Sequence, residues 1–198
     1  MRIFFFDIET VPTERSLEEC GLLDKEVTPE NTELLKRLSL SAATAKILCL
    51  AYAVEPPGDA PVQILHGDER EILREFWNIV VHCDLFVGHN ILDFDLRFMY
   101  QRSVIHQIRP SRELPFGRFH NDPIFDTMHE WSRWGRESIS LDRLSRALSI
   151  PSPKENLDGA KVYPYYRAGR LEEICEYCKR DVDSVRQVYR RLTFAGVQ

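Results

Sequence analysis

Met1-Arg2-Ile3-Phe4-Phe5-Phe6-Asp7-Ile8-Glu9-Thr10 is the stretch whose reading decides the fold. Ile3 to Phe6 is an unbroken run of strand-forming residues, the pattern of a strand covered on both faces in the middle of a sheet. Two acids, Asp7 and Glu9, follow at once. Side chains two apart on a strand point the same way, so both carboxylates leave the end of a central strand together, beside the core. Like charges held that close raise each other's pKa unless something positive compensates. A hard divalent cation, which takes oxygen ligands, is the simplest compensation. A solvated strand end, with both acids facing water, is the other reading of these residues alone.

Working outward, residues 13–44 read as a variable insertion rather than core, with weakly helical stretches at Glu14 to Leu23 and Asn31 to Leu40. Lys46 to Val54 and Val62 to His66 read as a strand hairpin around the turn Pro56-Pro57-Gly58-Asp59. Asp68 is placed as the N-cap of a helix over Glu69 to His82. Asp84 to Gly88 reads as a short buried strand, Leu92 to His106 as a helix and Pro123 to Asp126 as another strand. Helices are expected over Thr127 to Trp134, over Leu141 to Leu148 behind the cap Ser140, and over Leu171 to Leu192 with a break near Asp181. Pro151 to Tyr166 reads as loop. The order predicts a single mixed α/β domain over residues 1–198 with helical cover.

Two more constellations carry acids. Gly88-His89-Asn90-Ile91-Leu92-Asp93-Phe94-Asp95 leaves a buried strand and enters a helix. Asp93 and Asp95 are two apart and do not share a helical face, and an acid in a first turn also serves the helix dipole. In Tyr177-Cys178-Lys179-Arg180-Asp181, the tyrosine and the aspartate are i and i+4 and lie on one face, which is expected against the sheet edge. A solvated helix with a core tyrosine explains that pair equally well.

The rest of the composition narrows the class. A net charge of −5 and a pI near 5.7 argue against broad coating of duplex DNA. They leave room for a nucleic acid held through metal ions and a local basic strip. Arg97, Arg102, Arg109, Arg112 and Arg118, interleaved with Phe116, Phe119 and His120, suit such a strip. Trp131 and Trp134 read as core rather than as a stacking platform. The odd count of five cysteines gives no disulfide framework. Cys175 and Cys178 match C-x-x-C without a second pair at zinc spacing. No apolar run reaches the roughly 18 residues of a membrane helix, the N-terminus does not read as a signal peptide, and the expected location is cytoplasmic.

Together, Phe6-Asp7-Ile8-Glu9-Thr10, His89-Asn90 with Phe94-Asp95, and Tyr177-x-x-x-Asp181 resemble the three exonuclease motifs of the DnaQ-like 3′–5′ exonucleases. Tyrosine in the third motif resembles the DEDDy branch, and the stand-alone relatives of the family B DNA polymerase proofreading domain in particular. The tract Asp126-Thr127-Met128-His129-Glu130-Trp131, followed by Ser140-Leu141-Asp142-Arg143-Leu144, is also similar. The resemblance implies a ribonuclease H-like α/β fold in which strands 1–3 are antiparallel and later strands parallel. It implies that Asp7, Glu9, Asp95 and Asp181 hold two Mg²⁺ or Mn²⁺ ions and that Tyr177 orients the attacking water. Thr10, Asn90, Phe94 and Arg97 are expected at the substrate. The expected partner is a single-stranded nucleic acid 3′ end, DNA in preference to RNA. An exoribonuclease and a catalytically idle nucleic-acid-binding module are the alternatives.

Overall fold

The computed structural model describes residues 1–56, 60–116, 122–152 and 157–195. Pro57, Gly58 and Asp59 of the expected turn lie outside these residues, as do Arg118, Phe119 and His120 of the expected basic strip. Among the described residues, five strands form one sheet in the order β3-β2-β1-β4-β5. They are β1 (Ile3–Pro12), β2 (Ala45–Glu55), β3 (Gln63–His66), β4 (Leu85–Gly88) and β5 (Ile124–Asp126). Pairing is antiparallel between β1 and β2 and between β2 and β3, and parallel between β1 and β4 and between β4 and β5. The opening stretch is therefore the central strand, with antiparallel neighbours on one side and parallel ones on the other.

The helices are α1 (Glu14–Glu19), α2 (Pro29–Ser39), α3 (Glu69–Val80), α4 (Asp95–Ile105), α5 (Thr127–Trp131), α6 (Leu141–Ala147), α7 (Val162–Arg167) and α8 (Leu171–Leu192). Several begin as the sequence dictates. Asp68 accepts from the Glu71 N–H at α3, and Ser140 accepts from the Arg143 N–H at α6. A 3₁₀ turn over Gly159–Lys161 leads into α7, where loop was expected. Pro164 and four aromatic or charged neighbours gave no apolar periodicity there; Val162 and Tyr163 are nevertheless buried.

Alternation along β1 divides the core. Phe4, Phe6 and Ile8 pack with Ile72, Phe76, Leu96 and Met99 of α3 and α4. Phe5 faces the other way, with Ile174, Cys178, Val182 and Val185 of α8. Asp7 and Glu9 share the parity of Phe5 and so point to the α8 side. The two acids do not mark the end of the strand, as expected, because β1 continues past them to Pro12. A β-bulge between Glu9 and Thr10 takes one extra residue from β2, so that Glu9 pairs with Cys49 and Thr10 with Ile47. The segment 13–44 is integrated rather than peripheral: Leu17, Leu22, Leu35 and Leu38 are buried on the α8 side of the sheet. Arg102, expected in the basic strip, is buried and paired with Glu69 at 2.6 Å. Arg112 donates to the carbonyls of Val80 and Cys83 and lies over the Phe86 ring, its guanidinium carbon 5.2 Å from the centroid.

Candidate active site

Three segments of the chain bring acids to the middle of the sheet. Asp7 and Glu9 come from β1. Asp181 comes from α8, which runs without a break through that position and packs across β1 and β2, not at the sheet edge. One carboxylate oxygen from each of Asp7, Glu9 and Asp181 can be chosen so that all lie within 4.8 Å of one another.

Asp95 joins by a different device. β4 pairs with β1 only through Val87, opposite Phe5. Beyond that point β1 has no strand on this side, and the Ile8 N–H donates to Asp95 Oδ1 at 3.1 Å. The chain leaves β4 through Gly88, where an added Cβ would lie 2.1 Å from Ile91 Cγ2 and 3.1 Å from the Phe6 carbonyl. Asn90 then takes a left-handed φ of 63°, a conformation asparagine tolerates better than most residues. Asp126, fully buried at the end of β5, accepts from the N–H groups of Asn90 at 2.9 Å and Leu92 at 3.0 Å. Its Oδ1 also accepts from Met128 at 3.0 Å and His129 at 3.4 Å, at the start of α5. Asp126 thus fixes the loop that delivers Phe94 and Asp95. The sequence places Asp126 in a similar tract without a role; its position at a strand end, where it caps the following helix, was the available signal. His89 is turned away, with its ring nitrogens 2.9 Å from Thr127 Oγ1 and 2.8 Å from the Ile139 carbonyl.

The electrostatics of this cluster are those of uncompensated anions. Burial raises the Asp7 carboxyl well above the ordinary range, and Asp181, Asp95 and Glu9 add to the rise; only the Cys178 thiol opposes it. That thiol lies 3.4 Å from Asp7 Oδ2. Glu9 is raised by burial and then by Asp181 and Asp95. Asp95 is raised to about 8, by burial first, against the opposing N–H groups of Ile8 and Asp95 itself. Tyr177 sits one turn before Asp181 on the same face of α8. Burial, then Asp181, Glu9 and Asp7, push the phenol well above its ordinary value, so it stays protonated across the physiological range.

A cleft of about 520 Å³ opens beside these acids. Ile8, Glu9 and Thr10 form its floor, Phe94 one flank, Thr32, Leu35 and Lys36 of α2 a wall, and Tyr163 and Pro164 of α7 the facing wall. Thr10 is held by donating its hydroxyl to the Ser39 carbonyl at 2.7 Å. Of the expected substrate residues, Thr10 and Phe94 line this cleft. Asn90 acts through the loop, tied by its backbone to Asp126. Arg97 lines a neighbouring cavity with Phe116 and Trp134 instead. The cleft wall from α2 was missed because that segment carries no motif; Tyr163, one of the aromatic and basic residues before the last helix that the sequence offers as flanking the site, does line the cleft. The donor set of the cluster is entirely carboxylate oxygen, of the kind that suits hard divalent cations.

Residues 58–196 match the family described as a predicted 3′–5′ exonuclease related to the exonuclease domain of PolB. The chain is 25% identical over 150 residues to an uncharacterized protein of Methanocaldococcus jannaschii, covering 71% of this chain and 83% of the other. Its fold superposes on the family B DNA polymerase from the hyperthermophilic archaeon Pyrobaculum calidifontis with a TM-score of 0.71 at 19% identity. That superposition covers 98% of this chain and 24% of the polymerase chain, so the present chain spans about a quarter of its length. The mixed sheet with flanking helices is ribonuclease H-like. Among the described residues, no helix is long and apolar enough to cross a membrane.

Proposed function

The chain belongs to the family of predicted 3′–5′ exonucleases related to the exonuclease domain of PolB, and from that premise we propose that it hydrolyses single-stranded DNA ends to nucleoside monophosphates by a two-metal mechanism. The observation that carries this reading is the meeting of Asp7, Glu9 and Asp181 within 4.8 Å, with the carboxyl of Asp95 close enough to act on Asp7. Four acids gathered so closely, two buried and two half-buried, are costly to a fold unless cations share them. Asp7, Glu9, Asp95 and Asp181 would hold two Mg²⁺ or Mn²⁺ ions. Bound there, the ions would lower the pKa of a coordinated water and offset charge on the phosphate and the departing 3′-oxygen.

The chain's own groups do the rest. Tyr177, kept protonated by burial and the surrounding acids, holds the attacking water in place without taking its proton. Phe94 stacks on the terminal base at the flank of the cleft, and Thr10 closes its floor. A cleft walled by α2 and α7 suits one unpaired strand, whose backbone is free to bend and whose bases are free to stack. The relation to PolB supports DNA in preference to RNA.

The test is degradation of end-labelled DNA and RNA oligonucleotides with Mg²⁺ or Mn²⁺. Expected is stepwise shortening of DNA from the 3′ end with release of mononucleotides, abolished by chelation and by Asp7→Ala. Preferred degradation of RNA would reassign the substrate. Undiminished activity in Asp7→Ala, or no metal-dependent cleavage of either polymer, would overturn the proposal.

A further inference from the structure

The loop that carries the second acidic motif separates two cavities. Phe94 faces the cleft beside Glu9. Leu92, Asp93 and Arg97 face a second cavity of about 290 Å³, completed by Phe116, His129 and Trp134. The two therefore share a wall only a few residues thick.

The second cavity is built from paired planar groups. The His129 and Trp134 rings stack with centroids 5.0 Å apart and an interplanar angle of 10°. His129 is held in place because its Nε2 lies 3.2 Å from Asp93 Oδ2; a carboxylate accepts, so Nε2 carries the proton. Opposite them, the Arg97 guanidinium lies over the Phe116 ring, its central carbon 5.6 Å from the centroid. Arg97 Nε donates to the Leu92 carbonyl at 2.7 Å, which holds the exposed cation near the cavity.

The backbone that presents Trp134 is strained. Arg133 and Trp134 both take left-handed conformations, with φ of 48° and 63°. Gly135 follows, where an added Cβ would lie 2.9 Å from the Ser132 carbonyl. Consecutive left-handed residues with bulky side chains are costly and persist where surrounding structure demands them, often at ligand sites. Here the outcome is an indole laid flat on an imidazole at a cavity lip, its Nε1 donating to Glu130 at 3.0 Å. Partly exposed stacked rings beside a tethered guanidinium are what a base and its phosphate recognise on a single strand.

We infer that this cavity is a second nucleotide subsite, which stacks a base of the bound strand, upstream of the 3′ end, on the His129–Trp134 pair and meets its phosphate with Arg97. The inference rests on the exonuclease reading for the location of the 3′ end; the stacking itself does not.

The test measures affinity of fluorescently labelled oligodeoxynucleotides of increasing length, in Ca²⁺, on the cleavage-deficient Asp7→Asn protein. Expected is a step of about tenfold in affinity, the worth of one stacked base, when the strand becomes long enough to reach the cavity. Trp134→Ala removes that step and keeps the affinity of the shortest oligonucleotide. Arg97→Gln, altered at an exposed side chain, lowers the slope of log affinity against log salt by about 0.7, the value for one phosphate on a single strand. Intrinsic fluorescence quenched by a long oligonucleotide is lost in Trp134→Phe. An unchanged length profile in Trp134→Ala together with an unchanged salt slope in Arg97→Gln would overturn the subsite. The exonuclease proposal fails separately, if the unmodified protein degrades neither polymer while the length step persists.

Discussion

Asp7 concentrates the conflict of this molecule in one side chain. Its carboxyl is buried on the α8 face of β1, amid Glu9, Asp95 and Asp181, and its pKa is raised by all of them. A group whose folded pKa lies above its unfolded value stabilises fully below the unfolded value and ceases to do so as pH rises through the folded one. For Asp95 that window runs from about 4, the reference value, to about 8; Asp7 and Glu9 shift in the same sense. The metal-free protein should therefore lose thermal stability between pH 5 and pH 8, as read from melting curves in chelator. Added Mg²⁺ or Mn²⁺ should restore it, more at pH 8 than at pH 5. Asp7→Asn without metal should melt several degrees higher than the parent at pH 8, since one mutually repelling charge is gone, and should gain little from metal. A melting temperature that rises toward pH 8 without metal would contradict this account. Tyr177 supplies the complementary case. Tyr177→Phe should lower kcat about tenfold to a hundredfold, the worth of one hydrogen bond to a charged partner. The pH profile between 6 and 9 should keep its shape, because the phenol titrates above that range.

Among the elements, the loop between β4 and α4 has the least regular structure and the most exacting task. It must turn the chain from a sheet into a helix whose first residue reaches an unpaired N–H on β1. Asp126 holds it by accepting from the backbone on both sides, at Asn90 and Leu92 and again at Met128 and His129. Asp126→Ala should orphan these donors, and leaving the buried Leu92 N–H unpaired alone should cost about 1–3 kcal/mol. It should lower kcat more than it raises KM, since Asp95 is displaced while the substrate walls remain. Thermal melts and steady-state kinetics on one oligonucleotide check both; unchanged kinetics would remove the positioning role. The sequence made this loop visible as a motif but not as a structure. Phe94 and Asp95 were legible because a buried strand, a glycine and an acid-bearing helix follow one another. The role of Asp126 was not, because its partners are backbone groups that carry no residue code. The same reason hid α7 and the wall formed by α2. Their contribution comes from tertiary packing of Leu35, Leu38 and Tyr163, which local periodicity does not report. The alternation of Phe4, Phe5 and Phe6 was legible only as burial on both faces; that the strand would run on past Asp7 and Glu9 to Pro12 depended on β2 extending beside it.

At the scale of the whole molecule, two acid systems titrate in opposite senses. Away from the candidate site, Glu69 accepts from Arg102 Nη2 at 2.6 Å, from Arg102 Nε at 2.8 Å, from the Ile47 N–H at 2.7 Å, and pairs with His106 Nε2 at 2.6 Å. Burial alone would raise this carboxyl, but the Arg102, Ile47 and His106 partners outweigh it and hold it below the ordinary value. Such a group stabilises above its unfolded pKa of about 4.3 and loses that contribution as pH falls through the folded value. Arg102→Ala should cost about 3–5 kcal/mol at neutral pH, as for a broken buried pair, and the difference from the parent should shrink at strongly acidic pH. Denaturant titrations at pH 7 and pH 3 check it; an equal difference at both would place the stabilisation in packing alone. The metal-free fold is thus strongest in a mildly acidic interval between the two systems. The site itself joins the first strand of the chain to one of its last helices across the centre of the sheet. During synthesis, then, β1 emerges long before its partner, and the acids of the two elements can meet only once α8 has cleared the exit tunnel and docked.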